Sequence, residues 1–187
     1  MTWKELEDAC LACTRCRLAD ERTNVVIGRG SKTADVLFVG EGPGRQEDEQ
    51  GIPFVGAAGQ LLDLAMISCG FSQSDYYIGN VVKCRPPQNR TPLEDECAAC
   101  IGFLRAQFAL LRPKIVVCMG NVAANNLIEK NTRISAIRGR WIEKKGVWFL
   151  GTYHPAALLR DESKKLDMWN DLKMAYDKMM EFRRAEG

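Results

Sequence analysis

The sequence predicts a three-layer α/β/α fold around a central four-stranded parallel sheet, and three observations carry that expectation. Short apolar runs without polar alternation recur at residues 36–39, 76–82, 115–119 and 147–152, the pattern of strands buried on both faces. Between and beyond them lie longer stretches whose apolar residues repeat at helical spacing. Strands that alternate with helices imply parallel neighbours joined by crossover helices, which cover both faces of the sheet.

The elements follow in chain order. Trp3, Leu6, Cys10 and Cys13 lie at helical spacing, so a short amphipathic helix opens the chain. Val25-Val26-Ile27 reads as a short strand before the turn Gly28-Arg29-Gly30. The strand 36–39 follows, and 57–69 reads as a helix with Leu61, Leu62, Ala65 and Met66 as its stripe and Gly70 as its stop. After the strand 76–82, residues 84–92 contain three prolines and cannot be regular structure. Residues 93–111 read as a helix whose Glu94, Asp95 and Glu96 suit the positive end of the dipole. The strand 115–119 leads through Gly120-Asn121 into a helix at 122–128. Trp141-Ile142 form a hairpin arm before the strand 147–152, and an amphipathic helix at 166–182 closes the chain. There is no repeat, linker or low-complexity segment, and 187 residues suffice for one core, so one domain over 1–187 is expected.

Composition narrows the class further. Apolar residues make up 46% and charged residues 27%, as in an ordinary soluble globule, and the net charge of +2 does not by itself announce nucleic acid. The distribution is more suggestive, because Arg133, Arg138, Arg140, Lys144 and Lys145 crowd one segment. The amino terminus lacks the apolar stretch of a signal peptide and no run approaches membrane-spanning length, so a cytoplasmic protein without membrane contact is expected. Eight cysteines in a reducing compartment point to a metal or cluster rather than to disulfides.

The most telling motif is Val36 to Gly44, where an apolar strand breaks into the loop Gly40-Glu41-Gly42-Pro43-Gly44. Loops at the carboxyl ends of strands in open α/β sheets are where ligands bind. Glu47-Asp48 and the turn Gly51-Ile52-Pro53-Phe54-Val55-Gly56 put carboxylates and a flat aromatic beside it, as a pocket for a planar ligand requires. The order of glycines is not the dinucleotide fingerprint, and no phosphate-cradling G-x-x-x-x-G-K-[ST] run exists. Asn80 sits among aliphatic residues, where a buried amide needs hydrogen-bond partners. One amide both accepts and donates, which matches the N3–H and O4 edge of uracil. His154, the only histidine, follows the strand 147–152 directly.

The cysteines divide into groups. Cys10, Cys13 and Cys16 make overlapping C-x-x-C pairs, Cys97 and Cys100 make another, and Cys84 precedes the proline-rich loop. Cys69 and Cys118 lie in apolar elements and read as core thiols. Thiolates at these spacings suit tetrahedral zinc or an iron–sulfur cluster, and the isolated Cys84 suits the cluster better.

Together these residues resemble the family-4 uracil-DNA glycosylases, the iron–sulfur branch of the uracil-DNA glycosylase superfamily. The matching segments are residues 40–44, Glu47-Asp48, 51–62, 80–90 and 154–160. The resemblance implies a 4Fe–4S cluster held by Cys13, Cys16, Cys84 and Cys100, with Cys10 and Cys97 extra to the pattern. It implies hydrolysis of the N-glycosidic bond of deoxyuridine in single- or double-stranded DNA, releasing uracil by base flipping with no lyase step. Phe54 would stack on the base, Asn80 would read its edge, and His154 with backbone N–H groups near Gly42 would stabilise charge developing at O2. The best-known superfamily members carry an aspartate where this chain has Gly42, so Glu41 and Glu47, ahead of Asn89, are the candidates to position water. Glu47 could instead crowd C5 and exclude thymine. Leu158 would fill the hole left by the flipped base, with Leu159 as the alternative. Asn89, Arg90, Arg138 and Arg160 would contact DNA.

The loop 86–92 contains no histidine, so covalent trapping of the abasic product, known in a related branch, is not expected. The competing readings are a noncatalytic iron–sulfur protein that binds DNA or senses redox state, and a zinc-stabilised structural module. Neither needs Phe54, Asn80 and His154 together. A monomer is the expected state.

Overall fold

The structure, a computed structural model, describes residues 1–187. Helix α1 (Trp3–Leu11) starts at a reciprocal cap, in which the Thr2 hydroxyl accepts the Glu5 N–H and the Glu5 carboxylate accepts the Thr2 N–H. It buries Leu6 and Cys10. After α2 (Leu18–Glu21) and β1 (Arg29–Gly30), the apolar run forms β2 (Val36–Gly40), and the acidic loop behind it contains α3 (Arg45–Gln50). Then come α4 (Ala57–Cys69), β3 (Tyr76–Asn80), α5 (Glu94–Leu111), β4 (Ile115–Met119) and α6 (Asn121–Leu127). The remaining elements are α7 (Ile134–Ile137), β5 (Trp141–Lys144), β6 (Val147–Thr152), α8 (Pro155–Arg160) and α9 (Lys165–Glu186).

The sheet order is β1-β3-β2-β4-β6-β5. The inner four strands are mutually parallel, so the expected core sheet is present. The sheet nevertheless has six strands rather than four, because β1 and β5 add antiparallel edges to β3 and β6. The expected strand at 25–27 is absent from the ladder. Val26 donates its N–H to the carbonyl of Lys83, and the chain joins the edge only at Arg29 and Gly30.

Side chains alternate across the sheet and feed two cores. On one face Leu37, Val39, Val116 and Cys118 pack with Leu6 of α1, Leu104 of α5 and Ala123 of α6. On the other, Val36, Phe38, Ile115 and Val117 pack with Met66 of α4, Leu158 of α8 and Leu172 of α9. Each such side chain contributes roughly 1.5–3 kcal/mol on burial, so the uninterrupted apolar runs hold the three layers together. Parallel order also brings the carboxyl ends of the strands to one edge. Gly40 lies opposite Asn80 in the register of β2 and β3. No helix is long and apolar enough to cross a membrane.

Candidate active site and metal centre

A cavity of about 440 Å³ opens at that edge. Its lining includes Glu41, Gly42, Glu47, Phe54, Asn80 and His154, with Asn89, Arg90 and Arg160 at the same site. Gly40 makes the floor possible: a Cβ there would stand 2.5 Å from Asn80 Oδ1 and 2.6 Å from the Phe54 ring. Asn80 is 1% exposed, and its Oδ1 has no hydrogen-bond partner. It is the only such buried side-chain polar atom in the protein, and an orphaned acceptor of this kind carries a desolvation penalty until something donates to it.

Phe54 is held in an unusual conformation, with φ of 56°. Two neighbours enforce it. A Cβ on Gly59 would lie 2.0 Å from the Phe54 carbonyl oxygen, so only glycine lets α4 pass this close. Glu47 Oε1 accepts the N–H groups of Val55 at 3.0 Å and Gly56 at 2.9 Å. Glu47 therefore clamps the aromatic loop while lining the cavity. The Phe54 ring lies 5.7 Å from that of His154, with 30° between their planes.

His154 caps α8, and its Nδ1 accepts the Ala156 N–H at 3.2 Å. In the neutral ring this leaves the proton on Nε2, available to donate. Burial pulls the imidazole down to about 4, Arg160 pulls the same way, and Glu47 opposes them. His154 is thus neutral at physiological pH. Burial pushes the Glu41 carboxyl up, with Arg160 offsetting part of the effect. Arg160 is exposed and forms no ion pair, so its guanidinium is free to meet an anion. Arg90 is differently engaged: its two terminal nitrogens reach Glu96 at 2.8 and 2.6 Å. Asn89 has φ of 55°, and its Oδ1 accepts Arg85 Nε at 2.7 Å. A Cβ on Gly42 would come 2.7 Å from Val82 Cγ2, so the backbone passes tightly there.

Two expected site residues lie elsewhere. Leu158 is 2% exposed and belongs to the core beneath the sheet, whereas Leu159 is 52% exposed. Pro155 and Leu158 occupy the inward face of the short α8, which turns Leu159 and Arg160 outward. Arg138 is also a correction. It bonds Asp171 at 2.7 and 3.0 Å and the Asp167 carbonyl at 2.9 Å. Asp171 is fully buried and needs that cation, with Thr152 Oγ1 donating as well at 2.8 Å.

A second cavity lies among Cys10, Cys13, Cys16, Cys84 and Cys100, with Arg22, Lys83 and Phe103 also in its wall. The four cysteines expected to act together thus converge from three distant stretches. Cys84 Sγ accepts Arg22 Nη1 at 3.3 Å, and Cys100 Sγ accepts the Lys83 N–H at 3.3 Å, both suited to thiolate sulfur. The donor set around this cavity is all thiol, with no histidine or carboxylate in its wall, which is the chemistry an iron–sulfur cluster takes. Cys10 joins the wall, whereas Cys97 is buried apart from it. Sequence reasoning passed over Lys83, Gln107 and Arg22. A lysine within the apolar run 81–84 was the one signal available.

Comparison with known proteins agrees with this geometry. Residues 27–173 match the family model described as the uracil DNA glycosylase superfamily. A type-4 uracil-DNA glycosylase of Thermotoga maritima is 46% identical over 158 residues, covering 82% of this chain and 81% of that one. One from Archaeoglobus fulgidus is 42% identical, covering 87% of this chain and 86% of its own. Another, from Pyrobaculum aerophilum, is 39% identical over 94% of both chains.

Proposed function

The chain belongs to the uracil-DNA glycosylase superfamily, hydrolases that release uracil from DNA, and we propose that the cavity at the strand ends is where it does so. The observation that carries this assignment is the orphaned Oδ1 of Asn80. Uracil N3–H supplies the missing donor, and the same amide can donate to O4. Cytosine presents an acceptor at N3 and a donor at C4, so with the amide in this orientation it would leave Oδ1 unsatisfied. A buried polar group without its partner is the strongest form of discrimination available to such a site.

The base must leave the stack to reach this depth. Phe54 then offers its face for stacking, held by Glu47 and by the close passage of α4. As the glycosidic bond breaks, negative charge develops on uracil O2 and positive charge on the sugar. The neutral His154 ring carries its proton on Nε2 and donates toward that oxygen without needing to be charged. Glu41 is the free carboxylate of the cavity and is assigned to water, because Glu47 Oε1 is already committed to two backbone donors. Water attacks C1′, uracil leaves, and an abasic site remains. No lysine lines the cavity, which supports hydrolysis without a lyase step.

Leu159 is assigned to the gap in the helix, with Arg160 beside it for phosphate. The second cavity is assigned to a 4Fe–4S cluster on Cys13, Cys16, Cys84 and Cys100. When bound, that group supplies a structural cross-link between the amino-terminal segment, the end of β3 and α5. The two sites are read as parts of one domain spanning 1–187, working as a monomer on uracil-containing single- or double-stranded DNA. The test is incubation with a labelled oligonucleotide carrying one deoxyuridine. Free uracil and an alkali-labile, uncut strand are expected; a folded, DNA-binding protein that releases no uracil would contradict the assignment.

A further inference from the structure

Lys83 is a side chain that the chemistry above leaves without a role. It is 1% exposed and lies in the otherwise apolar run Val81-Val82-Lys83-Cys84. A lysine stem normally carries its ammonium to water. Here Nζ donates to the carbonyl of Asn80 at 2.8 Å and to Oε1 of Gln107 at 2.6 Å. Both acceptors are neutral. Gln107 is itself fully buried and fixed, its Nε2 donating to the Ile27 carbonyl at 2.9 Å.

No aspartate or glutamate pairs with this ammonium, and the acidic groups that act on it are the thiols of Cys100 and Cys10, which burial keeps neutral as free thiols. An uncompensated buried charge is among the most costly features a fold can carry. The compensation is at hand, since Lys83 stands in the wall of the cysteine cavity and its backbone N–H already donates to Cys100 Sγ. The same residue therefore touches both sites. Its ammonium grips the backbone of the residue whose amide faces the base, and its main chain grips a cysteine of the second cavity.

We infer that Lys83 is the counter-charge of the thiolate-held cluster and, through the carbonyl of Asn80, the positioning residue that sets the uracil-reading amide. This rests on the reading of the two cavities given above. The two sites are coupled as a result. Loss of the cluster removes the anionic partner of Lys83 and loosens its grip on Asn80, three residues from the ammonium's own position in the chain.

The test uses the iron-loaded protein and Lys83→Met, which keeps most of the apolar stem and removes the charge. Three results are expected. The cluster's midpoint potential falls, because a nearby cation no longer favours the reduced form. A chelator strips iron about 10-fold faster, and uracil excision slows by about 10- to 100-fold, the range expected when a charge-assisted hydrogen bond is lost. A filler of space would move neither the potential nor the chelation rate, so an unchanged potential in a folded, iron-loaded variant would overturn the inference alone. Should Lys83→Met fail to fold, lysine-15Nζ NMR of the parent decides. A single slowly exchanging ammonium resonance, shifted when the cluster is loaded, supports the inference, and its absence overturns it. A parent that excises uracil but binds no iron would remove the cluster reading and this inference together. An iron-loaded parent that excises nothing would remove the pocket reading instead.

Discussion

In the proposed mechanism His154 acts as a neutral donor, and its neutrality has a structural origin. The ring lies half-buried at the start of α8 and spends Nδ1 on the Ala156 N–H, so protonation works against partial desolvation and against Arg160. Excision limited by this group is therefore flat from neutral pH down to about 5 and falls as the pH drops through about 4. Stability follows the same group. Its folded value lies below the ordinary value of 6.5, so between about 4 and 6.5 the unfolded chain binds a proton that the folded chain does not. Stability from this group thus rises with pH across that window and is lost as the pH falls through it. A single-turnover rate profile checks the first expectation, and a His154→Gln comparison of urea midpoints at pH 4.5 and 7 checks the second. A profile that peaks near pH 5 would mean that the charged ring is the active form.

At the scale of elements, α8 shows what the sequence carried and what it concealed. The run 36–44, the helix 57–69 and the position of His154 behind a buried strand were all legible, because apolar runs and glycine breaks report burial directly. Which leucine of the pair faces outward was not, since the six-residue α8 is too short to show a stripe. Leu158→Ala should lower stability by roughly 2–5 kcal/mol, as core truncations do, and should slow excision from paired and unpaired DNA alike. Leu159→Ala should leave stability nearly unchanged and slow excision from duplex DNA more than from single strands, where no gap needs filling. Melting temperatures with paired rate measurements on the two substrates separate these roles. Arg138 was concealed for a related reason. Its partner Asp171 lies 33 residues away on α9, and no local pattern reveals that a basic residue is already spent on a buried acid. Glu47 was legible as a site residue, but its grip on the backbone of residues 55 and 56 depends on a loop closure that spacing does not encode.

Across the whole molecule, the parallel sheet brings Asn80, Phe54 and His154 to one edge, while the cysteines gather beyond the end of β3. Neither gathering is local in sequence: Cys13 and Cys100 lie 87 positions apart (100 − 13), and Gly40 and His154 lie 114 apart (154 − 40). The cysteine cavity joins the opening segment with α1 and α2, the loop after β3, and α5. Cys84→Ser should therefore cost iron and visible absorbance, lower the melting temperature by several degrees, and weaken excision through the loop that carries Asn89 and Arg90. Metal analysis beside a thermal melt checks this, and full iron content with an unchanged melt would remove Cys84 from the cluster.

The central claim is that the partnerless carbonyl oxygen of Asn80 awaits uracil N3–H. It is tested most directly by single-turnover excision on a deoxyuridine oligonucleotide, comparing the parent with Asn80→Ala. Loss of this buried hydrogen-bonding group should slow release by about 100-fold or more while leaving DNA affinity within about 2-fold, because the amide meets only the flipped base. An Asn80→Ala protein that releases uracil at the parental rate would contradict the account.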